Sequence, residues 1–169
     1  MNNISGISVI TPTHGRVDLV KQLLNSLAVA RQVYLEETEV IIIDSSPTME
    51  SEKIHHACIE YNARFHTMEN NVRHKRNWGI SNAQYPIVLF IDSDCIADQN
   101  LLVEHAKLYN GDISNNLGGV VGLTRFIGQE NWVWRVIQRS STLDVFSYPE
   151  NHRVVPWGPT CNISYWRHV

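Results

Sequence analysis

Apolar residues along the chain fall into short runs that alternate with stretches of helical spacing. The first run covers residues 7–11 and is followed by a cluster of turn-forming residues at 11–15. A stripe at intervals of three and four residues comes next: Val17, Val20, Leu24, Leu27 and Ala28. This order predicts a strand followed by an amphipathic helix, which is typical of parallel strands joined by crossover helices.

The same alternation continues through the first two thirds of the chain. Further strands are predicted at 40–43, 64–68 and 87–91, with another opening at 118–122. Helices are predicted at about 50–61, 75–83 and 101–109. The strand at 87–91 is apolar at every position, as expected for a central strand covered by helices on both faces. Beyond Phe126 the periodicity decays, and no further helix or strand is predicted.

Length and composition fit a single α/β domain. The 169 residues are close to the roughly 150 of an average domain. Hydrophobic residues make up 43% and charged residues 18%, which suits a packed core and excludes disorder. The net charge of −3 includes no basic excess, so no nucleic-acid partner is expected. The longest apolar run, 86–91, is far shorter than the roughly 18 residues of a transmembrane segment, and none is expected.

The first residues lack the cationic and apolar stretches of a signal peptide. We therefore expect a cytoplasmic protein, with peripheral attachment to a membrane surface as the alternative. Cys58, Cys95 and Cys161 show no metal-binding or redox spacing and are expected to be reduced thiols in the core. The eight histidines show no metal-ligand spacing and are expected to be structural or exposed.

Polar residues gather where the predicted strands end. The segment Thr11-Pro12-Thr13 follows the first strand, and Asp44 follows the second. Asp92-Ser93-Asp94 follows the apolar strand at 87–91. Because ligands of open parallel sheets bind at the carboxyl ends of the strands, we expect these residues to line one cleft.

Asp92 and Asp94 are candidate metal ligands. In an extended segment the side chains of residues i and i+2 point the same way, so the two carboxylates would share Mg²⁺ or Mn²⁺. The alternative is that one of them only caps the next helix.

The segment 71–79 places three cations and a histidine at the start of a predicted helix. A helix amino terminus favours anions, so phosphate groups are the expected occupants. The alternative is a solvated basic turn. The ending Arg76-Asn77-x-Gly79 favours the phosphate interpretation.

Taken in order, these segments resemble the nucleotide-sugar-binding half of a family 2 glycosyltransferase with the GT-A fold. The matching segments are 8–13, 39–44, 76–79 and 90–94, and 157–162 resembles the acceptor-side loop of that family. The resemblance runs from about Ile7 to Arg167. It implies a mostly parallel sheet flanked by helices and incomplete at the carboxy-terminal end. It also implies one domain, with residues 1–124 binding the nucleotide sugar and 125–169 starting the acceptor side.

The resemblance also implies roles for individual residues. The nucleoside would be held by Thr11, Pro12, Thr13 and Asp44. The diphosphate would lie beside Arg76 and Asn77. Asp92 would approach the ribose and the metal, and Asp94 would bind the metal. Trp157, Gly158 and Asn162 would lie on the acceptor side.

The implied reaction moves a sugar from a nucleoside-diphosphate donor, with a UDP-sugar expected, to a hydroxyl acceptor. The acceptor would be a saccharide, a lipid or another hydroxyl compound. A divalent cation, Mg²⁺ or Mn²⁺, would neutralise the leaving group, and attack from the opposite face would invert the anomeric carbon.

Three features depart from the family pattern. Ser45 replaces the usual second acid after strand two, and Val72-Arg73 stands where the family often has a glycine. The catalytic base of the family normally lies in an acidic motif shortly after the Asn162 segment, whereas this sequence ends at Val169. We therefore expect this chain to bind the donor but to transfer the sugar slowly. No spacing assigns that role to the available candidates Asp144, Glu150 and His152.

Three other classes compete with this interpretation. A haloacid dehalogenase-type phosphatase also has Asp-x-Asp after a strand, but on the first strand of its fold. A dinucleotide-dependent dehydrogenase needs a Gly-x-Gly-x-x-Gly turn, and only Gly15 follows the first strand here. The third is a nucleotide-sugar-binding module without turnover, which acceptor-dependent product formation would distinguish from an enzyme.

Overall fold

The computed structural model describes residues 6–110, 117–128, 131–140 and 143–168, apart from the side chain at position 138. The strands are β1 (Ile7–Thr13), β2 (Thr38–Asp44), β3 (Arg64–Thr67), β4 (Ile87–Ile91), β5 (Val120–Val121) and β6 (Asn162–Trp166). The helices are α1 (Val17–Val33), α2 (Thr48–Glu60), α3 (Val72–Asn82), α4 (Leu101–Tyr109), α5 (Trp132–Arg139) and α6 (Asp144–Asn151).

The strands form one sheet in the order β3-β2-β1-β4-β6-β5. Strands β3, β2, β1 and β4 are parallel, whereas β6 runs antiparallel to both of its neighbours. Thr13 pairs with Asp44 across β1 and β2, and Ile91 pairs with Asn162 across β4 and β6. The ends of β1, β2 and β4 therefore meet the start of β6 at one edge, which confirms the predicted mostly parallel α/β sheet.

Successive side chains of each strand point to opposite faces of the sheet, and each face carries a hydrophobic core. Val9 and Leu89 pack with α1, α2 and α4 on one face, while Ile10 and Phe90 face α3 on the other. All five residues of β4 are buried, as the sequence predicts for a central strand. The sheet is therefore covered by helices on both faces.

Helix α3 approaches the sheet closely because it carries a glycine at the contact. A Cβ at Gly79 would lie 2.5 Å from Cγ2 of Ile10, a distance that side chains do not tolerate. The glycine thus lets the carboxy-terminal half of α3 lie directly against β1 at Ile10. This helix begins at Val72, before the predicted start at 75, because the Asn71 side chain accepts the backbone N–H groups of Arg73 and His74.

The carboxy-terminal third contains elements that the apolar pattern does not predict. Strand β6 escapes detection because Asn162 and Ser164, at its inward positions, are polar yet buried. Helix α5 has an apolar face, but that face is exposed. Within the described residues no helix is long and apolar enough to cross a membrane.

The three cysteines are free thiols, as predicted. Cys58 and Cys161 are buried and Cys95 is half-buried. The fold brings two of them together, and the Cys95 thiol donates to the backbone carbonyl of Cys161 at 3.8 Å.

Candidate functional site

A crevice opens at the carboxyl edge of the sheet because β1 separates from β4 there. Residues 7–10 of β1 pair with β4, but from Thr11 to Thr13 the strand pairs with β2 alone. Pro12 has no N–H to offer a neighbouring strand, which is compatible with this early end of the ladder. The separation marks the point where ligands enter open parallel sheets.

A cleft of about 260 Å³ lies at this point. Its lining comes from the ends of β1 and β4, the turn after β1 and the first turns of α3. The lining residues are Pro12, Thr13, His14, Arg16, Val72, Lys75 and Ser93. The predicted candidates from the strand ends are thus brought together at one edge.

The acidic segment after β4 is a turn, so the expectation of an extended Asp92-Ser93-Asp94 is wrong. The Cys95 N–H donates to the Asp92 carbonyl at 3.1 Å and closes the turn. The two carboxylates nevertheless remain close enough for the charge of Asp94 to affect the pKa of Asp92. Neither caps the next helix, because the carboxylate bonded just before α4 is that of Asp98, which accepts from the Asn100 N–H at 2.8 Å.

Each carboxylate of this turn is held by an arginine. Arg76 Nη2 donates to Asp92 Oδ1 at 3.1 Å, and its guanidinium lies 5.9 Å from the centre of the Phe90 ring. Arg16 Nη1 donates to Asp94 Oδ2 at 2.6 Å. Burial raises the pKa of Asp92, and Asp94 adds to that rise while Arg76 opposes it. Two positive and two negative groups therefore meet beside the cleft.

Arg16 is a site residue that the sequence interpretation missed. It lies in the left-handed region with φ +59°, directly after Gly15 at φ +67°, and this sharp turn ends at the start of α1. A non-glycine residue in that region is uncommon and costs of the order of 1 kcal/mol. The one sequence signal was the position of Arg16 immediately after the turn-forming cluster that ends β1.

Asp92 and Asp94 are the residues that the sequence predicts to bind a divalent cation. Among the described residues, no group of three or more His, Cys, Asp or Glu side chains is arranged to hold a metal ion. Asp92 and Asp94 have side chains that are 40% and 48% exposed, so both are accessible to a cation that prefers oxygen ligands. The residues present thus fit a cation shared with a ligand, and not one that the protein encloses alone.

The end of β2 is braced by a fully buried carboxylate. Asp44 has no exposed surface, and its Oδ1 accepts the backbone N–H of Ser46 at 3.1 Å together with the Ser46 hydroxyl. The Gly15 N–H donates to the Ser46 hydroxyl oxygen at 2.6 Å, which links this loop to the turn after β1. Asp44 therefore braces the loop after β2, and the more exposed Ser45 of that loop accepts a hydrogen bond from Lys75, which lines the cleft.

Unpartnered buried polar atoms concentrate at this edge. Within the described part of the chain, four buried side-chain atoms have no hydrogen-bond partner. Three of them, Thr11 Oγ1, Asp44 Oδ2 and Arg76 Nε, lie at this edge, and the fourth is the Tyr34 hydroxyl at the end of α1. Native proteins rarely leave such atoms unpaired unless the site has a functional role. Their clustering supports the assignment of this edge as the functional one.

The basic segment at the start of α3 divides between surface and interior. Arg73 and Asn77 are exposed, and His74 Nδ1 contacts the Glu69 carboxylate. Lys75 is only 2% exposed, and its ammonium donates to the Thr13 carbonyl at 2.7 Å and to the Ser45 hydroxyl at 2.6 Å. One sequence signal for this burial is the spacing of Lys75 and Gly79, which lie one turn apart on the same helix face.

The predicted acceptor-side residues are placed on and beside β6. Trp157 is 61% exposed, and Gly158 packs against Val121, whose Cγ1 would lie 2.5 Å from an added Cβ. Asn162 is buried, its Nδ2 donates to the Leu123 carbonyl at 3.0 Å, and its Oδ1 lies 2.8 Å from His105 Nε2. The Asn162 amide thus joins β6 to α4 and to the segment after β5.

The three candidates for a catalytic base are exposed and do not line the cleft. Asp144 opens α6, and Glu150 pairs with Arg125 at 3.1 Å. His152 follows α6, and its Nδ1 lies 3.3 Å from the Tyr148 carbonyl. None of the three is held near the acidic turn by these contacts.

The fold and the site together define an α/β domain with a mostly parallel sheet and an acidic turn at the carboxyl edge of that sheet. The sequence profile of the family described as Glycosyl transferase family 2 matches residues 8–167, and the chain belongs to that family. Among curated proteins, none matches the sequence closely enough to count as a relative.

Solved glycosyltransferase structures share the fold. A mannosyltransferase from Pyrobaculum calidifontis, solved with GDP-Man and Mn²⁺, is 16% identical with a TM-score of 0.65, over 96% of this chain and 44% of that one. TarS 1–349 from S. aureus is 20% identical with a TM-score of 0.66, and the match covers 96% of this chain and 47% of TarS 1–349. TarS 1–349 has also been solved with UDP. Mannosyl-3-phosphoglycerate synthase from Rubrobacter xylanophilus is 15% identical with a TM-score of 0.60, over 96% and 54%.

These likenesses establish the GT-A fold that the sequence resemblance implied. The chain spans about half the length of each of these structures.

Proposed function

We propose that the chain forms the donor-binding part of a glycosyltransferase that moves a sugar from a nucleoside diphosphate, most simply a UDP-sugar, to a hydroxyl acceptor. The observation that carries the proposal is the arginine-paired acidic turn, Asp92 to Asp94, beside a cleft at the carboxyl edge of the sheet. Membership of the glycosyltransferase family and the nucleotide-bound relatives support it.

We propose one orientation for the donor in the cleft. The acidic turn and the two arginines would face the diphosphate, so the nucleoside would extend across the end of β1 towards β2. There Pro12 and Val72 supply apolar walls, while Thr13 and Ser45 border the polar floor. The predicted donor contacts Pro12, Thr13, Arg76, Asn77 and Asp92 are retained in this proposal, whereas the fully buried Thr11 and Asp44 brace the floor.

Transfer with inversion requires a single displacement. The acceptor oxygen bonds to the anomeric carbon while the bond from that carbon to the diphosphate oxygen breaks. The electron pair leaves with the nucleoside diphosphate, and the hydroxyl proton passes to a carboxylate base. Arg16 and Arg76 supply fixed positive charge where negative charge grows on the leaving group.

Asp92 and Asp94 are the residues that would hold a divalent cation. When bound with the diphosphate, Mg²⁺ or Mn²⁺ would supply further neutralisation of the leaving group. Charge balance favours this arrangement, because the two carboxylates are already offset by two arginines and a diphosphate adds negative charge.

The proposal includes a division of the domain into a donor side and an acceptor side. Residues up to 124 would bind the nucleotide sugar, and residues from 125 onward, including Trp157 and Gly158, would begin the acceptor side. The acceptor would be a saccharide, a lipid or another hydroxyl compound.

The test combines binding with turnover. We expect calorimetry with Mg²⁺ or Mn²⁺ to detect binding of UDP-sugars or GDP-sugars to the 169-residue chain. Release of nucleoside diphosphate that depends on an added hydroxyl acceptor separates transfer from binding alone. Failure to bind any nucleoside diphosphate or its sugars, in a sample whose thermal unfolding is cooperative, would contradict the proposal.

Peripheral membrane attachment is a further element of this proposal, and it rests on α5. Trp132, Val133, Val136 and Ile137 form an apolar face that is 36–77% exposed, and Arg135 and Arg139 of the same helix are also exposed. An amphipathic helix with tryptophan and arginine fits the interface of a bilayer containing anionic lipids.

We expect the chain to co-sediment with vesicles that contain anionic phosphatidylglycerol and to bind less to purely zwitterionic vesicles. The double variant Trp132→Ser/Val136→Ser should lose this binding because both substitutions remove exposed apolar area. Leu35→Ser is the matched control, since Leu35 is 93% exposed but lies outside α5. Unchanged co-sedimentation of the double variant would remove α5 from this role.

A further inference from the structure

The Lys75 ammonium is a buried charge with no acidic partner at contact distance. It is only 2% exposed, and none of the ion pairs among the described residues includes it. Burial lowers the pKa of Lys75, and the more distant Asp44 carboxylate opposes that shift. Burying an unpaired ammonium costs stability, so its retention here calls for a role that a neutral residue would not fill.

The contacts of Lys75 leave part of its donor capacity free. An ammonium carries three N–H groups. The described residues accept two of them, through the Thr13 carbonyl at 2.7 Å and the Ser45 hydroxyl at 2.6 Å. Lys75 also lines the cleft, so the remaining donor is available to a ligand there.

The position of Lys75 separates it from the predicted diphosphate site. Its ammonium bridges the ends of β1 and β2, whereas the acidic turn follows β4, on the other side of β1. Neighbouring strands are about 4.8 Å apart, so the two features are separated by more than the width of one strand. Val72, one turn before Lys75 on α3, and Pro12 give this end of the cleft apolar walls.

We infer that Lys75 donates a hydrogen bond to the donor nucleobase at the carbonyl oxygen O4 of uracil, or at O6 of guanine, and so selects keto over amino nucleobases. This inference rests on the proposed function and names its substrate class. Uracil carries a carbonyl oxygen at position 4 where cytosine carries an amino group, and guanine carries O6 where adenine carries an amino group. An amino group would point its own donors at the ammonium, so cytosine and adenine nucleotides are disfavoured.

The test compares nucleotides that differ at this one group. With Mg²⁺ present, the wild-type chain should bind UDP about 10- to 100-fold more tightly than CDP, the range expected for a hydrogen bond to a charged donor. GDP should be preferred over ADP in the same direction. Lys75→Met, which keeps the length of the side chain and removes the donor, should bring the UDP to CDP ratio close to one.

Two further variants make the result specific. Lys75→Arg keeps a positive donor and should retain part of the preference for UDP. Lys107→Met is the matched control, because Lys107 is exposed on α4 and pairs with Glu104. Thermal unfolding of each variant checks that the fold persists.

Different outcomes overturn different claims. Equal loss of UDP and CDP affinity in Lys75→Met would make Lys75 a brace of the β1 and β2 ends and would overturn this inference alone. If Lys75→Met lost affinity for nucleoside diphosphates but not for the free nucleoside uridine, the ammonium would contact a phosphate group. That result would also overturn the inference. Absence of binding to every nucleoside diphosphate by the wild-type chain would overturn the proposed function as well. Should Lys75→Met not fold, the wild-type ratio of UDP to CDP affinity decides, and a ratio near one rejects the inference.

Discussion

Replacing Asp94 by asparagine is expected to weaken nucleoside-diphosphate binding in the presence of Mg²⁺ or Mn²⁺ by about 1 to 3 kcal/mol, or roughly 5- to 150-fold. The carboxylate is half exposed beside the cleft and offers a charged oxygen that an amide does not replace. Titration calorimetry of UDP, with metal and with a chelator, measures the effect.

Because Asp94 pairs with Arg16, the titration in the presence of a chelator separates the loss of a metal ligand from a general loss of affinity. In the variant Arg16 loses its carboxylate partner and becomes available to the diphosphate. Without metal, the variant should therefore bind UDP as well as the wild-type chain or better. The metal dependence itself, and not affinity in general, is the property that Asp94 confers.

Asp98→Asn is the matched control for this charge change. Asp98 is exposed a few residues further along, and its Oδ1 accepts the Asn100 N–H, which an asparagine oxygen also does. This variant should keep the metal dependence of the wild-type chain. The role of Asp94 as a metal ligand is rejected if Asp94→Asn binds UDP with the same affinity ratio, with and without chelator, as the wild-type chain.

The elements that the sequence predicts best are those built from uninterrupted apolar runs or a strong helical stripe. The bounds of β4 and α4 agree with the prediction because their residues are apolar at the positions that the fold buries. Strand β6 was not predicted because its inward residues Asn162 and Ser164 are polar, and their burial is acceptable only through partners on α4. Local patterns do not contain that information.

Within the site, too, some residues could be predicted from local patterns and others depend on distant parts of the chain. The strand-end residues Pro12, Thr13 and Ser93 could be predicted to share a cleft because parallel strands end at one edge. The partner of Asp94 could not, because Arg16 is far away in sequence and reaches it through a left-handed turn. The depth of Lys75 depends on the close contact of Gly79 with Ile10, which only the folded chain makes.

The buried histidine His105 organises the start of β6 through both ring nitrogens. The Asn162 Nδ2 donates to the Leu123 carbonyl, so Asn162 Oδ1 is the acceptor facing His105 Nε2–H at 2.8 Å. His105 Nδ1 then accepts the Ser164 hydroxyl at 2.8 Å. The ring is neutral in this arrangement, and burial lowers the pKa of His105 to about 4.

We expect the free energy of unfolding to fall by roughly 3 kcal/mol through His105 as the pH decreases from 6.5 to 4. Well above pH 6.5 the ring is neutral in both the folded and the unfolded chain, so it makes no pH-dependent contribution there. Between pH 6.5 and about 4 the unfolded chain binds a proton that the folded chain does not, and stability is lost. Chemical denaturation at several pH values measures this slope.

A comparison with His105→Gln isolates the contribution of this ring from other titrating groups. Glutamine offers one donor and one acceptor to Asn162 and Ser164 but does not bind a proton in this range. The Tyr109 hydroxyl lies 3.0 Å from Ser164 Oγ, but burial raises the pKa of Tyr109 to about 12, outside the window. Glu104 and Lys107, the charged residues of α4, pair with each other at the surface.

The wild-type chain should therefore lose more stability than His105→Gln over this range. The control is His56→Gln, at an exposed position on α2, which should lose as much stability as the wild-type chain. Parallel pH profiles for the wild-type chain and His105→Gln, or an NMR titration that gives His105 a pKa near 6.5, would show that the ring is not held neutral by the fold.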